Sequence, residues 1–282
     1  MNMIKSLYVS AFLAGGFAGF AYSLYRVVQE GLASPWLGAA IACAGPALFF
    51  GRLFVAPAAR TSRNLPWMFV AGFVGLGVSL IPGAISAASV VALSVGVIGV
   101  ALYVFWYSKF DAREAPVIQI GQTLPAFTIY EGDAARPSTE LMQTPALWIF
   151  YRGNWCPLCM AQIKEVAAQY RELAQRGVEV YLISPQPESH SAALAKRMDA
   201  PMRFMTDRNN SAARILGVIE PNGLPAGMQV LGYDSDVPRP TVFVTATGGK
   251  VIYCDLTENY RVRPEPSAWM AVLDGEATRP AH

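Results

Sequence analysis

The stretch that decides the fold is Ala146-Leu147-Trp148-Ile149-Phe150-Tyr151-Arg152-Gly153-Asn154-Trp155-Cys156-Pro157-Leu158-Cys159. Its apolar start, Ala146 to Tyr151, reads as a buried strand, and its end opens a helix. Apolar side chains at Cys159, Ile163, Val166, Tyr170 and Leu173 recur at three- and four-residue spacing, one face of a helix. Gly177 stands where a left-handed residue ends such a helix. Both cysteines therefore fall where a strand becomes a helix. The first helical turn carries unpaired N–H groups and the positive end of the helix dipole, which favour a thiolate over a thiol. Pro157 suits the first helical position, where its missing N–H costs nothing. Cys156 is then near the N-cap, an exposed and activated sulfur, while Cys159 heads the core-facing row as its shielded partner.

Downstream, Val178–Ser184 reads as a second central strand, so strand, helix and strand form a βαβ unit with parallel strands and a right-handed crossover. Ala126–Tyr130 reads as an edge strand followed by a turn at Gly132-Asp133. Ser191–Met198 is a short helix, Met202–Thr206 a strand and Asn210–Leu216 helical, and Pro221–Pro238 is a Gly/Pro-rich insertion. Thr241–Thr245 and Lys250–Cys254 are strands joined at Gly248-Gly249, and Glu265–Leu273 is a final helix.

The chain has 282 residues, and its composition splits sharply. Up to Arg113 there are seven Lys/Arg and two Asp/Glu; beyond it there are fifteen and eighteen. No basic patch with interleaved aromatics appears, which argues against a nucleic-acid partner. Four cysteines do not make a disulfide framework and fit a working redox pair better. With only His190 and His282 present, a His-based triad or zinc site lacks ligands. No metal or other cofactor is expected.

The first part is read as a transmembrane region over 1–110, with spans near 6–26, 32–54, 65–81 and 84–107, then a linker over 111–122 and a globular domain over 123–282. Charge-free runs of twenty and twenty-one residues separate Lys5 from Arg26 and Glu30 from Arg52. Each suffices to cross a hydrocarbon layer of about 30 Å as a helix. The run from Asn64 to Ser108 is twice that length and is divided at Pro82-Gly83. Four spans put the N-terminus, the Arg52–Asn64 loop and the globular domain on one side, with Lys5, Arg60, Arg63, Lys109 and Arg113. The positive-inside rule makes that side cytoplasmic, so the expectation is a multi-pass inner-membrane protein in contact with lipid. An odd span count reverses the side. Cys43 is read as a packing residue, and Cys254 as a buried, inert one.

Trp-Cys-Pro-Leu-Cys after an apolar strand resembles the active-site junction of the thioredoxin superfamily. The longer Phe150-to-Cys159 segment is similar to its peroxiredoxin-like branch, the alkyl hydroperoxide reductase/thiol-specific antioxidant group. The resemblance covers roughly Ile118 to Asp274 and implies an α/β thioredoxin-like domain, a central mixed sheet flanked by helices, preceded here by an all-α transmembrane bundle of about four helices. It implies a thiol-dependent oxidoreductase that reduces hydroperoxides or protein disulfides and is reopened by an external thiol, thioredoxin-like or glutathione-type. It implies a cis-proline at Pro240, against the cysteines, and a peroxide-facing arginine at Arg239. Arg152 on the lead-in loop either adds positive potential or is simply exposed, and Trp155 is a lid or a hydrophobic plug. The two branches disagree on the attacking sulfur. In the peroxiredoxin pattern Pro-x-x-x-Thr-x-x-Cys, Cys156 stands at the threonine and Cys159 at the peroxidatic cysteine; the thioredoxin alignment gives the attack to Cys156. Accessibility favours Cys156. The buried acid of thioredoxins has no counterpart in Ala146–Tyr151, which keeps open an alternative, a non-catalytic scaffold or sensor module of a membrane complex. Oligomeric state is not legible.

Overall fold

A computed structural model describes residues 2–111, 117–198, 200–256 and 258–275. The expected linker over 111–122 lies partly outside these residues, at 112–116, and Arg113 falls there too. The chain divides into two compact units, one comprising Met3–Pro57 and Thr61–Phe110, the other Ala58–Arg60 and Asp111–His282.

The first unit is all helical, with α1 (Asn2–Glu30), α2 (Trp36–Val55), α3 (Pro66–Leu80) and α4 (Ala87–Tyr107). Helices α1, α2 and α4 are long and apolar enough to cross a membrane; α3, at 15 residues, is shorter. Pro66 opens α3 and Ser86 caps α4, its hydroxyl accepting from the Ser89 N–H. Helix α4 winds wider than an α-helix over Ala92–Gly99 and Tyr103–Tyr107. Small residues let α2 and α3 touch backbone to backbone. A Cβ on Gly75 would lie 2.5 Å from the Ala42 nitrogen and the Gly38 oxygen.

The second unit is built on a seven-stranded mixed sheet in the order β2-β1-β5-β4-β3-β8-β9. Its strands are β1 (Thr128–Glu131), β2 (Ala134–Pro137), β3 (Ala146–Phe150), β4 (Glu179–Ser184), β5 (Arg203–Thr206), β8 (Thr241–Thr245) and β9 (Val251–Asp255). A separate pair, β6 (Ile219–Glu220) and β7 (Val237–Pro238), brackets the insertion. Strand β3 runs parallel to β4, with Trp148 opposite Tyr181, and β4 parallel to β5; β8 returns antiparallel to β3, with Phe243 opposite Trp148. The helices are α5 (Ser138–Leu141), α6 (Pro157–Gln175), α7 (Glu188–Ala195), α8 (Ser211–Ile215) and α9 (Pro266–Leu273).

Every residue of β3 is buried, as expected of a strand covered on both faces. Trp148 anchors the core: its indole N–H donates to Thr245 Oγ1 at 2.9 Å, and its ring stacks on Phe243 at 5.9 Å. An aromatic of that size removes about 200 Å² from water, worth about 5 kcal/mol of transfer free energy before entropy is charged. The hairpin at Gly248-Gly249 has φ of 83° and 79°, the left-handed backbone that glycine tolerates. One expectation changes. The strand read as an edge, β1, is covered by β2, because Gly132 (φ 58°) turns the chain back into a hairpin. No peptide bond among the described residues is cis, so Arg239–Pro240 is trans and the expected cis-proline is corrected. The chain ahead of Pro240 is held by β6–β7 pairing and by the Arg239 N–H donating to the Val218 carbonyl at 2.6 Å, and the bond keeps the ordinary trans preference.

Candidate active site

Helix α6 begins where the sequence places it, with Cys156 as N-cap and Pro157 at its first position. The Cys156 N–H donates to the Gly153 carbonyl at 3.2 Å, and the Cys156 carbonyl accepts from Met160 N at 3.1 Å, so the turn is closed by backbone bonds alone. Gly153 has φ of 145°, and a Cβ there would meet the Trp155 indole nitrogen at 2.6 Å, so Trp155 folds back over a position only glycine can fill.

Cys156 is 2% exposed and Cys159 0%, which corrects the expectation of one accessible and one shielded sulfur. The lead-in loop and the loop before α9 supply the cover. Arg152 and Arg263 are themselves buried, Tyr260 is buried, and the Arg152 guanidinium lies 4.9 Å from the Trp155 ring centre and 5.6 Å from that of Tyr260. Arg152 also donates to the Gly223 carbonyl in the insertion.

The cation at the sulfurs is Arg263. Its Nη2 lies 3.4 Å from Cys159 Sγ and 3.8 Å from Cys156 Sγ. Nη1 donates to Gln162 Oε1 at 2.8 Å and Nε to the Tyr260 carbonyl at 3.1 Å, so the guanidinium is fixed on three sides. Gln162 follows Cys159 by three residues, one turn along the same face of α6. Arg239, placed at the site by sequence position, is engaged elsewhere: its Nε donates to Glu220 Oε2 at 2.7 Å and its Nη1 to the Asp111 carbonyl at 2.9 Å. The correction has a plain physical reason, since a buried guanidinium beside a buried carboxylate is captured by it. Pro240 is buried directly ahead of β8. Arg263 escapes the sequence reading because it is 104 residues from Cys159. The only local hint is Arg261-Val262-Arg263, whose two arginines are both buried just before the Pro266 helix start.

The electrostatics follow from these contacts. The hydrogen bond with Cys159, then burial, then the neighbouring sulfur's charge push the Cys156 thiol well above its ordinary value, against the two arginines. Burial raises Cys159 as well. The hydrogen bond from Cys156, the Arg263 guanidinium and the Arg152 backbone N–H outweigh it and hold Cys159 well below the usual thiol range. Both directions, and the shorter distance from the Arg263 Nη2, favour charge on Cys159 over Cys156, the reverse of the expectation that Cys156 is the thiolate. Position within the first helical turn matters less here than which sulfur faces the fixed donors. Around the pair, Gln186 braces the loop. Its Oε1 accepts from Asn154 N at 2.8 Å, and its Nε2 donates to Tyr151 Oη at 3.0 Å and to Ser191 Oγ at 3.1 Å. Tyr233, from the insertion, donates to Asn154 Oδ1 and packs on His190 at 5.2 Å. No cluster of three or more His, Cys, Asp or Glu fit to hold a metal occurs among the described residues.

Residues 120–254 match the AhpC/TSA family. They form a peroxiredoxin-like domain. Its strands, a β3–α6–β4 unit with β8 antiparallel to β3, make the thioredoxin-like arrangement. Similar solved structures include peroxidoxin BcpB from Mycobacterium tuberculosis, at 19% identity over 56% of this chain and 97% of that one, TM-score 0.47. AhpC from Enterococcus faecalis matches at 16% identity over 55% and 90%, TM-score 0.45. Reduced Prx3 from Vibrio vulnificus matches at 16% over 56% and 99%, TM-score 0.46. No curated protein sequence matches the chain. The match supports a peroxiredoxin-like oxidoreductase, and the matched family implies, in general terms, a hydroperoxide substrate and a thiol reductant. Arg263 lies beyond the matched residues.

Proposed function

We propose that the Cys156–Cys159 dithiol is the redox centre of a membrane-anchored thiol peroxidase, with Cys159 as the attacking sulfur. The observation that carries the reading is the Arg263 Nη2 held 3.4 Å from Cys159 Sγ in a buried site. The Cys159 thiolate attacks one peroxide oxygen, the O–O bond breaks, and the leaving alkoxide takes a proton to become an alcohol. Cys159 is left as a sulfenic acid. The Cys156 thiol then attacks that sulfur, water leaves, and the Cys156–Cys159 bridge forms. Two external thiol groups, from a thioredoxin-like or glutathione-type donor, reduce the bridge and leave as a disulfide. Arg263 stabilises both the starting thiolate and the developing oxyanion, and Arg152 and Trp155 close the site over the sulfurs. The Cys159 position agrees with the peroxiredoxin pattern. The same dithiol would also exchange with a protein disulfide.

The helical unit serves as the anchor. Three helices of sufficient length support membrane association. With α3 as a fourth, short span, the charges at Lys5, Arg63 and Lys109 favour a cytoplasmic redox domain in an inner membrane. The full chain in detergent, supplied with a thiol donor, should consume hydroperoxide, and Cys159→Ser should stop it. Undiminished consumption by that variant rules the assignment out.

A further inference from the structure

Arg263 is buried, and its hydrogen bonds go to the Tyr260 carbonyl, Gln162 Oε1 and the two sulfurs. None of these groups is a carboxylate. A buried cation without an anion is costly, and among the described residues the sulfur pair supplies the negative charge beside Arg263. Joining the sulfurs removes that charge and leaves the guanidinium facing neutral atoms. Burial works against the Arg263 charge, yet the sulfurs raise its hold on its proton, so the cation and the thiolate support each other. The oxidised state loses this support.

We infer that Arg263 makes Cys156–Cys159 a two-electron, one-proton couple poised toward the reduced form, opening of the bridge yielding one guanidinium-held thiolate and one thiol. This rests on the proposed reading of the pair as the redox centre. With glutathione as reductant, the Cys156–Cys159 bond breaks and two glutathione thiols are oxidised to glutathione disulfide. Of their two protons, Cys156 keeps one and water takes the other. The groups that act on the pair are Arg263 from the loop before α9, Arg152 and Tyr151 from the end of β3 and its following loop, and Glu188 from α7, which acts on Tyr151. Burial raises Tyr151, which stays a neutral phenol at physiological pH, so the released proton belongs to the sulfur pair. Because its reduced form is stabilised, the couple accepts electrons from ordinary low-molecular-weight thiols.

The test equilibrates the full chain in detergent with fixed glutathione/glutathione disulfide ratios at pH 6 and at pH 7. After acid quenching and alkylation, mass spectrometry reads the peptide that holds both cysteines. The reduction constant should rise about tenfold between the two pH values. Arg263→Lys should keep that dependence; Arg263→Met should flatten it and shift the balance toward the bridge by about ten- to a hundredfold. A constant that does not change with pH in the wild-type chain overturns the proposal, whether or not Arg263→Met folds. Absence of any bridged peptide at every ratio defeats the redox-centre reading instead.

Discussion

Two buried arginines in the redox domain make an instructive pair. Arg239 is 8% exposed and its guanidinium lies on Glu220, itself 4% exposed; Arg263 is 4% exposed and lies on two sulfurs. The first cation lies on a permanent anion, a carboxylate that chemistry at the sulfurs does not remove. Among the described residues, the second faces only an anion that chemistry can take away. A buried guanidinium is therefore tied to catalysis or to stability by the lifetime of its partner's charge, and not by its distance in sequence from the motif.

This contrast can be broken or sharpened by experiment. The largest effect belongs to Cys159→Ser, which removes both nucleophile and counter-charge. Peroxide turnover should fall by on the order of 10³-fold or more in a steady-state assay. Next comes Glu220→Gln, which strands Arg239. Chemical denaturation should show a loss of about 3–5 kcal/mol, whereas Glu220→Leu combined with Arg239→Met should recover most of it. Peroxide turnover per folded molecule should persist in the double variant; its collapse would return Arg239 to the site. Arg263→Met should slow peroxide consumption about ten- to a hundredfold, the range for a hydrogen bond to a charged group.

The pH dependence is subtler. Cys159 is held well below the ordinary thiol range by the Cys156 hydrogen bond and Arg263, so it loses its proton at lower pH than a free thiol. Consumption should therefore change less between pH 7 and pH 8 than a free thiol's would, and fall at lower pH as Cys159 takes a proton up. An unperturbed thiol would instead gain several-fold over that unit of pH. Cys254→Ala, on β9, marks the lower end of the scale and should change turnover by less than about twofold.

Much of the fold was legible in the chain itself. Strand β3 shows as an uninterrupted apolar run because both its faces are covered, and α6 shows through its periodic face, Pro157 and Gly177. The β8–β9 hairpin shows through Gly248-Gly249. Strand β2 did not show, since Ala134-Ala135-Arg136-Pro137 lacks β-branched residues and pairs only because the Gly132 turn delivers it. The site was half legible. Local spacing fixes Cys156 and Cys159 at the helix start, but which sulfur carries charge depends on Arg263, brought across 104 residues by the tertiary fold. Burial of Cys156 was likewise hidden, because it depends on tertiary neighbours such as Arg263, whose Nη2 lies 3.8 Å from its sulfur. Arg239 misled because sequence position says nothing of Glu220, nineteen residues earlier, waiting to capture it.

The most direct test of the assignment of the charge is to ask which sulfur takes oxygen. Cys156→Ser and Cys159→Ser chains, each reduced and given one equivalent of hydroperoxide with a sulfenic-acid trap, are compared by peptide mass. The trapped oxygen should sit on Cys159 in the first variant, with Cys156 unmodified in the second. Trapping on Cys156, with Cys159 inert, would contradict the account.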